Sequence, residues 1–430
     1  MEILRHCLPS SVRRFLEELP ESLDETYERV LREIKKPNRD HARRLLQCLV
    51  VAIRPLRVEE LAEVVAVDFD DAEGIPKLKP SWRWEDQEQA LLTSCSSLIT
   101  IVGKDRSPSR VVQFSHFSVK EFLTSARLAA SSQDVSRYHI ILQPAHIVLA
   151  QACMSILLQL HDCDEQNDVE KNAPLAIYAA KYWVRHAQFE DVASRIKGME
   201  YLFDPDKPYF AAWCRLHNID SGHDTIFNEL ASSKSGPPLY YAALCGFSNL
   251  VEQLIVKYPQ HVNATGGYYG TPAVAALAGR YFELAQVVHR NGSSLEPRGS
   301  SGWSPLHCAA YYGDLEMIQV LLDYGVDVNA RTEWGTTSLL MASWANFSDP
   351  DLRVVRLLLD RGADPNIQPQ DGGTALHRAS RDGKIEMVRL LVEHGARVEL
   401  QDDQDSTPID VASERQHDDI VKLLLEHRKL

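Results

Sequence analysis

At 430 residues, with 44% hydrophobic and 25% charged side chains, the chain has the make-up of a folded protein of two or three domains, which excludes a disordered segment or a disulfide-stapled miniprotein. Lys plus Arg total 46 against 60 Asp plus Glu, a formal net charge of −14, and both halves are acidic: 29 basic and 35 acidic residues in 1–235, 17 and 25 in 236–430. With no basic block, neither nucleic acid nor an anionic membrane surface is the expected partner.

The N-terminus, Met1-Glu-Ile-Leu-Arg-His-Cys-Leu-Pro9, lacks the apolar stretch of a secretory signal and the Met-Gly start of a myristoylation site, so an intracellular, cytoplasmic chain is expected. Eight Cys are scattered with no CxxC pair, the pattern of reduced and mostly buried thiols.

The first predicted helix opens at Ser22-Leu-Asp-Glu25, a capping box, and buries Leu23, Tyr27, Val30, Leu31 and Ile34 before Lys35-Lys-Pro-Asn38 ends it. A second follows Asp40 with Leu45, Leu46, Leu49, Val50 and Ile53, and a third follows Arg57 with Val58, Leu61, Val64 and Val65. A polar segment at 68–85 leads to a short helix near 86–95. Two β-rich runs come next, Ser97-Leu-Ile-Thr-Ile-Val102 and Arg110-Val-Val-Gln-Phe-Ser115, separated by the turn-forming Gly103-Lys-Asp-Arg-Ser-Pro-Ser109. Three helices and a hairpin predict a winged helix. Its candidate groove helix, near 58–67, carries Glu59, Glu60 and Glu63 and no base, which phosphates would repel.

Residues 140–160 contain no Asp, Glu, Lys or Arg, but a helix started by Pro144 has only about 17 residues, at the short limit for a bilayer. Gln151, Ser155 and Gln159 mark it with a polar stripe, as expected of a helix buried in a helical domain. From about 138 to 230 further helices are predicted, Ala173-Pro-Leu-Ala-Ile-Tyr-Ala-Ala-Lys-Tyr-Trp-Val-Arg-His186 among them, to cover the exposed end of the first repeat of the C-terminal half.

From 236 onward one pattern recurs. Pro238, Pro272, Pro305, Ser338, Ala375 and Pro408 occupy one position, spaced 34, 33, 33, 37 and 33; Gly292, Gly325, Gly362 and Gly395 occupy another, spaced 33, 37 and 33. In the clearest copy Pro305 begins a short helix with Leu306, Ala309 and Ala310, and Gly313 ends it. A second helix presents Met317, Ile318, Leu321 and Leu322, closed by Gly325. No unit covers its own apolar face, so the units must stack into a solenoid with a long curved surface. The second copy departs at Gly279, one place early, and in the fourth Asn346-Phe-Ser-Asp-Pro-Asp351 replaces the tight turn as a four-residue insertion. The last copy keeps Ile420, Val421, Leu423, Leu424 and Leu425 patterned as in an internal unit, which predicts an uncovered apolar outer face and an array that continued further.

The phrases Gly302, Pro305-Leu-His307, Ala309, Ala310, Gly313, Leu321, Leu322, Gly325, Asp327 and Asn329 resemble the ankyrin repeat, and residues 236–430 give six copies. Leu19-Pro-Glu-Ser-Leu-Asp-Glu-Thr-Tyr-Glu-Arg-Val30, Arg54-Pro-Leu-Arg-Val-Glu-Glu-Leu-Ala62 and Val112-Gln-Phe-Ser-His-Phe-Ser-Val-Lys-Glu-Phe-Leu123 are similar to the segment after the NACHT module in fungal NACHT–ankyrin proteins of the STAND type. That resemblance implies signal transduction, with repeats that sense or bind and a nucleotide-hydrolysing NACHT module. The winged-helix segment is also similar to one named after a GPI inositol-deacylase, but no lipase motif accompanies it. The NACHT module itself is missing: Gly103-Lys104-Asp105 and Gly383-Lys384-Ile385 lack both the upstream Gly and the Ser or Thr of GxxxxGK[ST]. Met1 therefore reads as the start of a shortened form of a longer switch protein.

No GxSxG or HExxH is present. Cys153, His161 and Cys163 lack a zinc-ligand spacing, Asp68-Phe-Asp-Asp-Ala-Glu-Gly74 resembles a calcium loop only in acidity, and His307 and His377 are expected to bond neighbouring backbone. No catalytic residue, cofactor or metal is predicted. What remains is a binding surface. The loop tips and exposed sides of the first helices, mapped by the resemblance to a concave groove, carry Tyr268, Tyr269, Trp303, Tyr311, Tyr312, Arg331, Glu333, Trp334 and Trp344, residue types that dominate interface energetics.

The expected fold is mainly α: a helical segment at 1–36 as the tail of a NACHT-type module, a winged-helix-like domain at 37–130, a helical linker or capping region at 131–235, and an ankyrin-repeat solenoid of six repeats at 236–430. The expected function is a non-enzymatic protein-protein interaction scaffold, binding a protein partner, or a NACHT module in cis or in trans, with no nucleic acid and no membrane. An enzyme with its site in 138–230 is the alternative, and a DNA-binding winged helix the third reading.

Overall fold

The computed structural model describes residues 23–69, 75–103, 110–160, 169, 171–217, 219, 236–298, 302–344 and 352–428. The chain divides into two compact units, Met1–Asn218 and Ile219–Leu430.

In the first unit, α1 (Leu23–Glu33) buries Tyr27 and Leu31 and leaves Leu23 exposed. Its expected cap, Ser22, lies outside the described residues. Next come α2 (Arg39–Val51), the two-residue strand β1 (Leu56–Arg57) and α3 (Val58–Val65). Helix α2 stops at Val51, so Ile53, expected on its apolar face, falls outside it and is exposed. A small antiparallel ladder, β2 (Val67–Asp68) with β3 (Lys77–Leu78), forms at and within the polar segment of 68–85. Then follow α4 (Gln87–Cys95), β4 (Ile99–Val102) and β5 (Val111–Phe114). The hairpin appears as expected, Val102 opposite Val111, and β1 adds a third strand through Leu56 opposite Val112, giving the order β1-β5-β4. Val112 and Leu56 of the sheet are buried, as are Leu45 of α2, Leu61 of α3 and Leu91 of α4. This is a winged helix with its sheet completed by a strand too short to be read from sequence.

Short helices α5 (Phe117–Leu123), α6 (Ala126–Ala129) and α7 (Gln133–Ser136) lead to α8 (Leu142–Leu157), which starts two residues ahead of Pro144 and carries the proline in its first turn, where a missing N–H costs no hydrogen bond. Two members of the expected polar stripe are buried on α8: Gln151 accepts from and donates to the Lys197 backbone, both at 2.9 Å, and the Ser155 hydroxyl donates to the Ala152 carbonyl at 2.8 Å; the third, Gln159, lies past the helix end and is exposed. Helix α8 packs between α2 and α9 (Ala176–Ala187). Beyond it, α10 (Met199–Leu202) and α11 (Tyr209–Leu216) close an aromatic core in which Trp183 and Trp213 meet edge-on at 5.3 Å and Trp213 Nε1–H donates to the Ala180 carbonyl at 2.8 Å. Among the described residues no helix is long and apolar enough to cross a membrane.

The second unit is six helical hairpins: α12 (Pro238–Leu244) with α13 (Ser248–Lys257), α14 (Pro272–Ala278) with α15 (Phe282–Arg290), α16 (Pro305–Tyr312) with α17 (Leu315–Asp323), α18 (Ser338–Trp344) with α19 (Arg353–Asp360), α20 (Ala375–Arg381) with α21 (Ile385–Glu393), and α22 (Pro408–Glu414) with α23 (Asp418–His427). Every first helix begins at the residue the sequence register marks. First helices stack on first helices, as α16 on α18 and α20 on α22, and second on second, as α17 on α19. The insertion after Trp344 lies outside the described residues.

The early glycine of the second copy has a local reason. Gly279 keeps an ordinary φ of −74°, and Arg280, one place later, takes the left-handed turn at φ 64° where Gly246, Gly313 and Gly383 stand in other copies. A Cβ on Gly279 would lie 2.5 Å from the Leu244 carbonyl oxygen. In the last hairpin Ile420, Leu423 and Leu424 are buried, against the expectation of an uncovered face; Asp418, Asp419, Lys422 and Glu426 face solvent, and of the five apolar residues only Leu425, 41% exposed, is open.

Candidate functional site

Three ladders fix the loop tips before any side chain can form a site. In the first, His307 Nδ1 accepts from the Ser304 amide at 3.2 Å, which leaves Nε2–H to donate to the Thr336 carbonyl of the next hairpin at 3.1 Å. His377 repeats this with Thr374 and Ser406. Both rings are buried and, as expected, serve the backbone; burial pulls the His307 imidazole down to about 4 against the Thr336 carbonyl that raises it. In the first copy Tyr240 replaces the histidine, its hydroxyl accepting from the Tyr269 amide at 3.0 Å.

In the second ladder Asn329 accepts from the Asp364 amide at 2.9 Å and donates to the Gly362 carbonyl at 3.2 Å, and Asn366 does the same to Arg397 and Gly395. The third runs along the tips. Arg298 donates to Gly302 O and Arg331 O, Arg331 to Gly335 O and Gln368 O, and Gln368 to Gly372 O and Gln401 O. Each rung holds its own tip and the next.

On this frame the sequence-predicted residues separate into three groups. Tyr268 is half-buried and meets Tyr269 edge-on at 5.1 Å. Tyr269 is only 1% exposed, packed on Tyr240, so its ring is core and is not offered to a partner. Arg331 is a ladder rung, its guanidinium spent on carbonyl oxygens. Tyr269 and Arg331 are corrections to the expected surface.

In the second group Trp303, Tyr311 and Tyr312 come together. Trp303 meets Tyr311 at 5.6 Å and 65°, and Tyr311 meets Tyr312 at 5.0 Å and 85°. Tyr311 and Tyr312 remain 36% and 39% exposed, and Trp334, on the next tip, 52%. Gly302, at φ 71°, lets the Glu333 backbone pass where a Cβ would come within 2.7 Å of its nitrogen, so Glu333 sits against the Trp303 tip. The Glu333 and Trp334 carbonyls are held by the Gln370 side chain and amide, at 3.0 and 2.9 Å.

Trp344 stands apart, half-buried and lining a cleft of about 250 Å³ whose other walls include Asp371, Arg378, Arg381, Asp402 and Asp403. Sequence reading missed these, although the register contained them. Arg381 holds the position of Tyr311 and Trp344, six residues after each first-helix start, and Asp371 that of Trp334, four before it.

In the first unit two of the three glutamates expected to face a DNA groove, Glu60 and Glu63, are buried, and Glu59 is half-exposed. Glu60 is buried, accepts from Arg54 at 2.7 and 2.8 Å and from the Arg57 amide at 2.8 Å; Glu63 pairs with Arg83 and accepts from the Leu175 amide at 2.7 Å, tying α3 to the start of α9. The second helix of the helix-turn-helix pair, next to the hairpin, is α4 and not α3. It has no Arg or Lys, and its Glu88 is held by Arg110. Three titratable groups of α8 and α9 form one chain: Ile53 N–H donates to Tyr178 Oη at 3.1 Å, Tyr178 Oη lies 2.9 Å from His186 Nε2, and His186 Nδ1 lies 2.9 Å from His146 Nδ1. Satisfying every donor makes Tyr178 donate to His186 and His186 to His146, both imidazoles neutral. Burial holds His186 down to about 3, and lowers His146 as well. Among the described residues no cluster of His, Cys, Asp or Glu could hold a metal. Cys48, Cys95 and Cys153 are buried thiols, and burial pushes Cys48 and Cys95 up to about 12. His161, Cys163 and the acidic stretch 70–74 lie outside the described residues.

Comparison with known proteins agrees with this architecture. Residues 239–332, 273–369 and 339–429 match the family described as Ankyrin repeats (3 copies), and 27–133 match the GPI inositol-deacylase, winged helix domain. The chain thus carries an N-terminal winged-helix domain and C-terminal ankyrin repeats, which support a protein-interaction role. It is 30% identical over 297 residues to the Azaphilone pigments biosynthesis cluster protein L of Monascus ruber, covering 65% of this chain and 61% of that protein. It is 30% identical over 128 residues to mouse Ankyrin repeat and SAM domain-containing protein 6, 30% of this chain and 14% of the relative. A Putative ankyrin repeat protein of Rickettsia felis is 31% identical over 23% of this chain and 46% of its own length. The chain therefore spans less than two thirds of each.

Proposed function

We propose that the chain is a non-enzymatic interaction scaffold, the sensing and regulatory part of a NACHT–ankyrin signalling protein, that captures a protein partner on the aromatic face of its third and fourth repeats. The observation that carries this reading is that Tyr311, Tyr312 and Trp334 stay exposed on tips and helices whose backbone is tied rung by rung. A surface already in its bound shape loses little conformational entropy on association. In this setting the winged-helix domain joins the repeats to a NACHT module supplied in cis or in trans. A helix α4 without a basic residue argues against a duplex partner. The enzymatic alternative would draw on His146, His186 and Tyr178, whose polar atoms are spent mainly on one another.

The test is capture from host lysate by the immobilised full chain. Tyr311→Ala with Trp334→Ala should abolish recovery of the partner while the circular dichroism spectrum stays unchanged. Undiminished recovery would remove the proposal.

A further inference from the structure

The geometry of the aromatic face favours one sign of charge in its occupant. Trp303 meets Tyr311 at 65° and Tyr311 meets Tyr312 at 85°, and Tyr311 and Tyr312 remain 36% and 39% exposed, so part of this aromatic surface is open to an occupant. A ring face is the negative end of the aromatic quadrupole and attracts a cation, weakly when exposed and more strongly as water is excluded. The two basic groups on these tips are engaged by carbonyl oxygens, the Arg298 guanidinium by Gly302 O and Arg331 O and the Arg331 guanidinium by Gly335 O and Gln368 O. Glu333, whose backbone nitrogen and Cγ pass Gly302, the residue before Trp303, is exposed and has no ion-pair partner among the described residues. Residues 236–430 as a whole carry a formal charge of −8, which favours approach of a positive segment and opposes an acidic one.

Resting on the capture reading above, we propose that the partner presents a basic segment, with the guanidinium or ammonium group of one Arg or Lys seated against Trp303, Tyr311 and Tyr312 and paired with Glu333. The aromatic wall supplies the apolar contact and the ring faces; the acidic surroundings select the sign of the occupant.

The experiment titrates the full chain with octa-arginine and with octa-glutamate, read by calorimetry. Octa-arginine should bind and octa-glutamate should not. Tyr311→Leu and Glu333→Lys should each weaken octa-arginine at least tenfold, Tyr311→Phe should retain it, and Glu386→Gln, an exposed acid on α21 outside the cluster, should leave it within twofold. Equal loss from Glu386→Gln would mean that only net charge is felt and would overturn the proposal, as would Tyr311→Leu binding like the parent. The two readings fail separately: a lysate partner lost with Tyr311→Ala and Trp334→Ala but retained by Glu333→Lys keeps the capture site and sinks the basic occupant.

Discussion

His307 and Thr336 belong to successive repeats, and the imidazole of the first donates to the backbone carbonyl of the second at 3.1 Å. The ring is closed off from water and its other nitrogen is occupied by Ser304, so it works only as a neutral donor and acceptor. His307→Ala leaves a buried carbonyl without its donor and a void beside it. The loss should be about 2–3 kcal/mol, seen as faster hydrogen exchange over residues 332–340, with exchange in α8 and α9 unchanged. Uniform exchange across the 302–344 hairpins would show that the bond does not join them.

The same ring predicts an acid sensitivity. With a folded value of about 4 and an ordinary value of 6.5, His307 binds its proton more readily in the unfolded chain. Stability is therefore complete above about 6.5 and falls as pH drops from there toward 4, by at most about 3 kcal/mol for this group, levelling off below. His186, near 3, extends the decline over a wider window in the first unit. Thermal midpoints of the repeats between pH 7.5 and 4 should slope less steeply in His307→Gln; an identical slope would assign the effect elsewhere.

Gly279 and Arg280 should differ in how strongly a substitution is felt. Gly279 has an ordinary backbone but no room, so Gly279→Ala drives a methyl into the Leu244 carbonyl and costs about 2 kcal/mol. Arg280 has room but a left-handed backbone. Arg280→Gly relieves about 1 kcal/mol of strain while giving up exposed pairs to Asp314 at 2.8 Å and Glu316 at 3.0 Å, for a net change within about 1 kcal/mol. Denaturant midpoints of the two variants should separate clearly.

Much of this fold is legible in the sequence because each repeat announces its first helix by Pro or a small residue at a fixed period, and the period survives the insertion in the fourth copy. The hairpin of Ile99–Val102 with Val111–Phe114 is legible because a run of β-branched residues has a pattern. Leu56–Arg57 is not, since two residues have none, and only pairing with β5 makes them a strand. The candidate surface is legible by residue type and less so by orientation. Tyr268 and Tyr269 look alike in sequence, and which is buried depends on Tyr240, 29 residues before Tyr269, standing where other copies have histidine. Arg331 looks like an interface arginine because the carbonyls it serves are 4 and 37 residues away. Arg381 and Asp371 escape a reading that follows aromatic type and not the repeat column.

Glu296 occupies the column of Asn329 and Asn366 but only accepts, from the Asp327 amide at 3.0 Å. A carboxylate has no donor for the helix-end carbonyl that an asparagine amide reaches. Glu296→Asn should add the missing bond to Gly325 and raise the unfolding midpoint, worth about 0.5–1 kcal/mol, whereas Asn329→Ala should lower it by about 1–2 kcal/mol. A fall with Glu296→Asn would contradict the ladder.

The tip ladder through Arg298, Arg331 and Gln368 has a mechanical corollary. Because every rung grips only its own turn and the one after, a pull along the chain loads one link at a time. Stretched from its end, the array should yield as a train of small, evenly spaced force drops, and a severed link should shift a single drop while the rest of the trace keeps its rhythm.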